Sequence, residues 1–147
     1  MSTYWDAYKN FVHNARAPLQ REFRLLAAQC GWEASGERYR TEWMRCARTE
    51  FTHYFGGEDN RLAGWQSLCA LVGVEDVPES IVQCKQALHN VWVNIFDLID
   101  AQRTGKPVKR HASAVALGKY SKKTSKIFPK AEAKKNRFLK AFLIKMF

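Results

Sequence analysis

Acidic residues are scarce where basic ones are densest. After Asp100 the chain carries a single acid, Glu132, against 14 lysines and arginines, a local charge of +13. Residues 1–100 hold 13 acids and 10 bases, a net −3. The net +10 of this 147-residue chain is therefore a property of its last third. Proline and glycine are also sparse, at 4 and 8, which excludes collagen-like and Pro/Gly-rich low-complexity chains. No run approaches the about 20 apolar residues of a membrane-spanning helix. The longest candidate, 91–101, is interrupted by Asn94, Asp97 and Asp100. The start, Met1 to Asp6, has neither a basic lead nor an apolar run, so no secretory signal is expected. Cys30, Cys46, Cys69 and Cys84 never come closer than 15 positions, and in an intracellular chain they are read as reduced.

Other absences concern chemistry. Neither G-x-G-x-x-G nor G-x-x-x-x-G-K-[ST] occurs, so no phosphate-cradling loop is expected. There is no G-x-S-x-G elbow. No segment combines alternation, β-branched enrichment and hairpin turn signals, so no sheet is expected.

What is present is helical punctuation in a chain of single-domain length. Nine Phe, five Tyr and five Trp argue against disorder. Thr3 and Asp6 match a capping box, and Tyr4, Tyr8, Phe11, Val12 and Ala15 follow at helical spacing. Pro18 opens a helix striped by Phe23, Leu26, Ala27 and Cys30 and stopped by Gly31. Ser35 caps a third helix, carrying Tyr39, Trp43, Ala47, Phe51 and Tyr54 and ending at Gly56-Gly57. A fourth spans Leu62 to Val72. The spacing then predicts a long central helix over 79–103, started by Asp76, Pro78 and Glu79. Its broad apolar face runs from Ile81 through Cys84, Leu88, Val91, Trp92, Ile95, Leu98 and Ile99. Residues 106–111 read as a linker, 113–120 as a short helix and 121–126 as a basic loop. Pro129 opens a last helix, with Phe138, Leu139, Phe142, Leu143 and Met146 on one side. Lys130, Lys134, Arg137 and Lys145 lie opposite, and Lys135 must snorkel from the apolar arc. The fold class expected is all-α: one compact bundle of six to seven helices around 79–103, with a basic amphipathic C-terminal helix packed back.

Candidate catalytic and metal groups have plainer readings. The Cys and His spacings do not match structural zinc, and the cysteines fit apolar stripes as small hydrophobes. Cys84 and His89 would form a dyad only if the fold aligned them. Asn94, Asp97 and Asp100 share one helical side and could line a cleft for acid–base work. A solvated polar face is the preferred reading.

The basic segment is of another kind. Eight cations from Lys106 to Lys130 fall in 25 positions without an acid, an arrangement that asks for solvent or an anion. Lys109-Arg110 and Lys122-Lys123-x-x-Lys126 resemble a bipartite nuclear-import signal. Arg110-His-Ala-Ser113 resembles a basophilic kinase site. The last helix also suits a membrane surface or a partner groove, although docking on the domain's own core is the preferred reading.

Gly64-Trp-Gln-Ser-Leu-Cys69, the stretch from Gln83 to Asp100, and Lys126-Ile-Phe-Pro-Lys-Ala-Glu-Ala-Lys134 together carry a family resemblance. Over residues 20–147 the chain resembles small intracellular helical proteins of filamentous fungi. The resemblance implies a lineage-specific eukaryotic role. It implies no activity, cofactor or site residue.

The sequence-based expectation is a noncatalytic binding protein without cofactor or metal. Its partner is nucleic acid, held by the backbone through Lys109, Arg110, Lys119, Lys122, Lys123, Lys126 and Lys130. Tyr120 and Phe128 are candidates for stacking on bases. One alternative is an adaptor for an acidic protein. Another is a small enzyme with a pocket lined by Asn94, Asp97, His89 or a cysteine.

Overall fold

The computed structural model describes residues 3–144, with side chains as far as residue 142. Among the described residues there are eight α-helices and no named strand. They are α1 (Leu19–Cys30), α2 (Glu37–Phe55), α3 (Leu62–Leu71), α4 (Ile81–Ala87), α5 (Ile95–Thr104), α6 (Ala114–Lys123), α7 (Lys130–Ala133) and α8 (Arg137–Ile144), preceded by a 3₁₀ turn at Tyr4–Ala7. None of the helices is long and apolar enough to cross a membrane.

The centre is α2, the longest helix, which packs against α1, α3, α5, α7 and the N-terminal turn. This corrects the expectation that 79–103 is central. Two acids on the buried side of α2, Glu42 and Glu50, are 6% and 2% exposed. They dilute its apolar pattern and make a core helix resemble a surface one. Around it Phe23, Leu26, Phe51, Leu68, Leu98, Ile99, Phe138 and Leu139 are fully buried.

The stretch 79–103 is two helices. α4 ends at Ala87, and Val91 and Val93 then lie buried outside any helix. Trp92 C=O accepts the His111 N–H at 2.8 Å, an isolated antiparallel bridge. Asn94 restarts the helix. Its Oδ1 accepts the Phe96 and Asp97 N–H groups at 2.9 and 3.3 Å, capping α5 as a side-chain oxygen should. Its Nδ2 donates to Ser121 Oγ at 3.0 Å and Lys126 C=O at 2.8 Å.

The last helix breaks in the same manner. Pro129 opens α7, but the chain turns at 134–136. Buried Asn136 then caps α8, accepting Leu139 N–H at 2.9 Å while donating to Thr52 Oγ1 and Gly56 C=O. Phe138, Leu139 and Phe142 are buried, so α8 does pack back on the core. The Leu143 side chain, Lys145 and Met146 lie outside the described residues. Lys135 is exposed and pairs with Glu132 at 3.2 Å.

Substituting Asn94 by alanine is expected to cost about 2 kcal/mol. About 1 comes from the lost cap, and the remainder from Ser121 and the Lys126 carbonyl losing their donor. A urea midpoint that falls at unchanged slope is the readout. A shift worth less than a few tenths of a kcal/mol would show that Asn94 does not hold the α5–α6 joint.

The N-terminal helix predicted from Tyr4 to Ala15 is only one 3₁₀ turn, and Val12 is 94% exposed. The segment is held by polar anchors instead. Tyr4 Oη donates to Glu42 at 2.8 Å and Trp5 Nε1 to Glu50 at 2.7 Å. His13 stacks on Trp5 with ring centroids 4.0 Å apart, and its Nε2 lies 2.8 Å from Arg103 Nη2. A guanidinium only donates, so this ring nitrogen must be the unprotonated acceptor. Burial first, and then the Arg103 charge, push His13 down to about 4.

Stability follows by linkage. The folded pKa lies below the ordinary value of 6.5, so the unfolded chain binds the proton that the fold rejects. The contribution is full above about 6.5 and is lost as pH falls toward 4. Between pH 6.5 and 4.5 the urea midpoint of the wild type should drop more than that of His13→Asn. Equal drops would dissociate His13 from acid sensitivity.

Candidate anion-binding surface

α6 is built to present one face and hold the other. Ser113 caps it, its Oγ accepting Ala116 N–H at 3.1 Å. Leu117 is the only buried residue of this helix. Tyr120 and Ser121 share that inner side, where Tyr120 Oη donates to Asp97 Oδ2 at 2.5 Å and Ser121 Oγ accepts from Asn94. Val115, Lys119, Lys122 and Lys123 stand at i, i+4, i+7 and i+8, the spacing of a single helix face. All four are exposed. No ion pair neutralises the three lysines among the described residues.

The seven sequence-predicted cations therefore divide. Lys119, Lys122 and Lys123 form the outer face. Lys109 and Arg110 are exposed in the preceding loop. Lys109 Nζ lies 5.0 Å from the centre of the Tyr120 ring, and Arg110 Nη1 reaches Val72 C=O at 3.4 Å. Lys126 is spent differently: its Nζ donates to Asp97 Oδ1 at 2.7 Å and to Tyr120 Oη at 3.1 Å. Burial alone would lower its pKa, but those hydrogen bonds and the Asp97 charge raise it overall. Lys130 is exposed on α7, a separate helix whose Glu132 pairs with Arg48 at 2.7 Å.

Neither expected stacking residue offers an open ring. Phe128 is 6% exposed and packs on Phe96, with centroids 5.5 Å apart, so it is a core residue. The Tyr120 ring meets His111 at 4.6 Å as well as the two lysine ammonium groups, and its hydroxyl is held by Asp97. Burial and that bond to Asp97 raise the Tyr120 pKa.

The acids of α5 are cross-links rather than the solvated face expected of them. Asp97 ties α5 to α6 through Tyr120 and Lys126. Asp100 Oδ1 accepts Leu19 N–H at 2.8 Å. It thereby serves the N-terminus of α1, where Pro18 has no side-chain cap to offer and an anion suits the helix dipole. Burial, reinforced by the Asp97 charge, raises the Asp100 pKa. Both acids border an open cleft of about 270 Å³ with Pro18, Thr104, Lys109 and Tyr120. Sequence spacing placed Asp97 and Asp100 side by side, but their partners lie 23 and 81 positions away.

The cysteine and histidine candidates do not converge. Cys84 is buried while His89 is exposed. Cys46 and Cys69 are also buried, and Cys30, expected in an apolar stripe, is exposed at the last residue of α1. Among the described residues no three His, Cys, Asp or Glu side chains are grouped to hold a metal. His111 Nε2 is buried without a hydrogen-bond partner, and its pKa is lowered by burial and by Lys109. The chain matches no protein-family model, no curated protein and no solved structure.

Proposed function

We propose that the protein binds nucleic acid through its phosphate backbone, using the outer face of α6 and the loop before it. The observation that carries this reading is the lysine face Lys119, Lys122 and Lys123, unneutralised on a helix whose opposite side is tied down. Lys109 and Arg110, exposed in the loop before α6, are assigned to it as two further contacts. Lys126 leaves the contact set because Asp97 already holds it, and Lys130 leaves because it lies on α7. A helix of point charges without exposed aromatics reads phosphates and not bases, so low sequence specificity follows. The adaptor reading is left with the basic side of the last helix, since its apolar residues Phe138, Leu139 and Phe142 are buried.

Five phosphate contacts on duplex DNA give a slope of log affinity against log salt near −4.5. Replacing Lys119, Lys122 and Lys123 together by alanine should bring the slope to about −1.8, with similar losses for unrelated sequences. Fluorescence anisotropy with a labelled duplex across a salt series reads this directly. The proposal is overturned if the wild type shows no salt-sensitive binding, or if the triple variant retains the wild-type slope.

A further inference from the structure

A cavity of about 220 Å³ lies between the inner edge of α6, the entry to α5 and residues 126–128. Its apolar walls are Val93, Ile95, Leu117, Ile127 and Phe128, opened on one side by Gly118. An apolar cavity of about 150 Å³ is enough to hold a benzene molecule, so this one has room for a small hydrocarbon body.

Its polar groups are one-sided. Asn94 borders the cavity, but its amide is saturated, with two donors and the acceptor oxygen all engaged. Ser121 Oγ accepts from Asn94 and keeps its hydroxyl proton to give. Lys126 arrives already paired with Asp97. Lys122, exposed at the rim, adds an ammonium group. These side chains thus offer a hydroxyl proton and a positive charge, and the spare acceptor among them is one lone pair of Ser121 Oγ. A ligand matching that charge has an apolar body and an anionic head that accepts hydrogen bonds.

We propose that this cavity is a binding site for a short aliphatic carboxylate of about six to eight carbons, in keeping with the apolar, few-contact character of small-ligand sites. The chain lies against Val93, Leu117 and Phe128, and the carboxylate accepts from the Ser121 hydroxyl and Lys122. The site stands independently of nucleic-acid binding, although Lys122 borders both.

Sodium octanoate is the probe, titrated into the full chain by calorimetry, with methyl NMR shifts of Ile95, Leu117 and Ile127 as the map. Octanol and octylamine are titrated in parallel. The expected result is saturable one-to-one binding of octanoate, weaker binding of octanol and none of octylamine. Lys122→Gln should weaken octanoate about fivefold, the upper worth of an exposed ion pair, and leave octanol unchanged. Gly118→Leu should abolish binding without unfolding the protein. A Cβ at 118 meets no atom within 4 Å, and leucine is the better helix former. The proposal is overturned by no saturable binding of octanoate, by octylamine binding as tightly, or by undiminished binding in either variant.

Discussion

Replacing Arg103 by methionine lowers stability by about 3–5 kcal/mol, the range for removing one partner of a buried ion pair. The Arg103 side chain is fully buried and Glu50 is 2% exposed, with Nη1 to Oε2 at 2.9 Å. Every donor edge of the guanidinium has work. Nε donates to Ala17 C=O at 2.7 Å, and Nη2 to Asn14 C=O at 2.9 Å and to the His13 ring. The variant leaves the Glu50 charge buried, with Trp5 Nε1 still donating to it. It also strands the Ala17 carbonyl and takes one of two donors from Asn14 C=O, which keeps the Ala17 N–H at 3.3 Å. For a chain of this length the melting temperature should fall by about 10 °C, and trypsin should cut at Lys9 and Arg16 before the helices open. The double variant Glu50→Leu/Arg103→Met should recover part of the loss, because an apolar pair of similar volume removes the unpaired charge. Recovery stays incomplete, since the Ala17 carbonyl remains without its Arg103 donor. A loss under about 1 kcal/mol in the single variant would mean that water reaches Glu50 and that the clamp is not a buried pair.

Gly64→Ala is expected to destabilise by about 3 kcal/mol, the upper part of the range for overpacking a core. The sign runs against helix propensity, which favours alanine over glycine inside a helix by about 1 kcal/mol. Packing decides it. A Cβ at 64 would stand 2.5 Å from the Phe55 carbonyl oxygen and closer still to the Phe138 ring. The ring has little freedom, because it stacks on Trp65 with centroids 4.7 Å apart and meets Phe51 edge-on. Either α3 withdraws from the end of α2, or α8 lifts off both. Urea unfolding gives the magnitude, and Trp65, 2% exposed, should report the lifting as a red-shifted emission. Adding Phe138→Leu should restore only part of the loss, because the Phe55 backbone carbonyl cannot move with it. A stabilised Gly64→Ala would show that propensity outweighs the α3–α8 contact.

These two sites explain how much of the fold was legible. Stop signals that act through their own backbone were readable. Gly31, at φ +74°, closes α1 with Trp32 N–H on Ala27 C=O at 2.9 Å and Gly31 N–H on Ala28 C=O at 3.2 Å, the Schellman pattern of a left-handed glycine. Pro18, Gly56 and Pro129 marked ends for equally local reasons. Signals that act through distant partners were not readable. Asn94 looked like one more residue on a polar stripe, and it breaks a helix because Ser121 and the Lys126 carbonyl sit where its amide can donate. Asn136 breaks the last helix toward Thr52 and Gly56 by the same means.

The candidate surface divides along the same line. Its location needed only the count of charges between residues 106 and 130, where like charges without acids ask for solvent or an anion. Which lysines remain available needed the fold, because Asp97 lies outside that segment and neutralises Lys126 across the α5–α6 joint. Phe128 and Tyr120 shared one description as aromatics among cations until packing put the first in the core and clamped the second. The cavity beside them had a single trace in the chain, a glycine inside a short helix.

By itself, then, the order of residues determined an all-α chain, most of its helix ends, and a basic last third that closes back through Phe138, Leu139 and Phe142. Those features follow from periodicity, backbone freedom and charge number, all of them local quantities. Tertiary structure alone decided that α2 is the centre, that two long helices are each two, and that three lysines face outward without an ion pair among the described residues. Each of those outcomes turns on a polar group whose partner is distant in sequence. A buried hydrogen bond or ion pair contributes only when both ends arrive together, and only the folded chain brings them there.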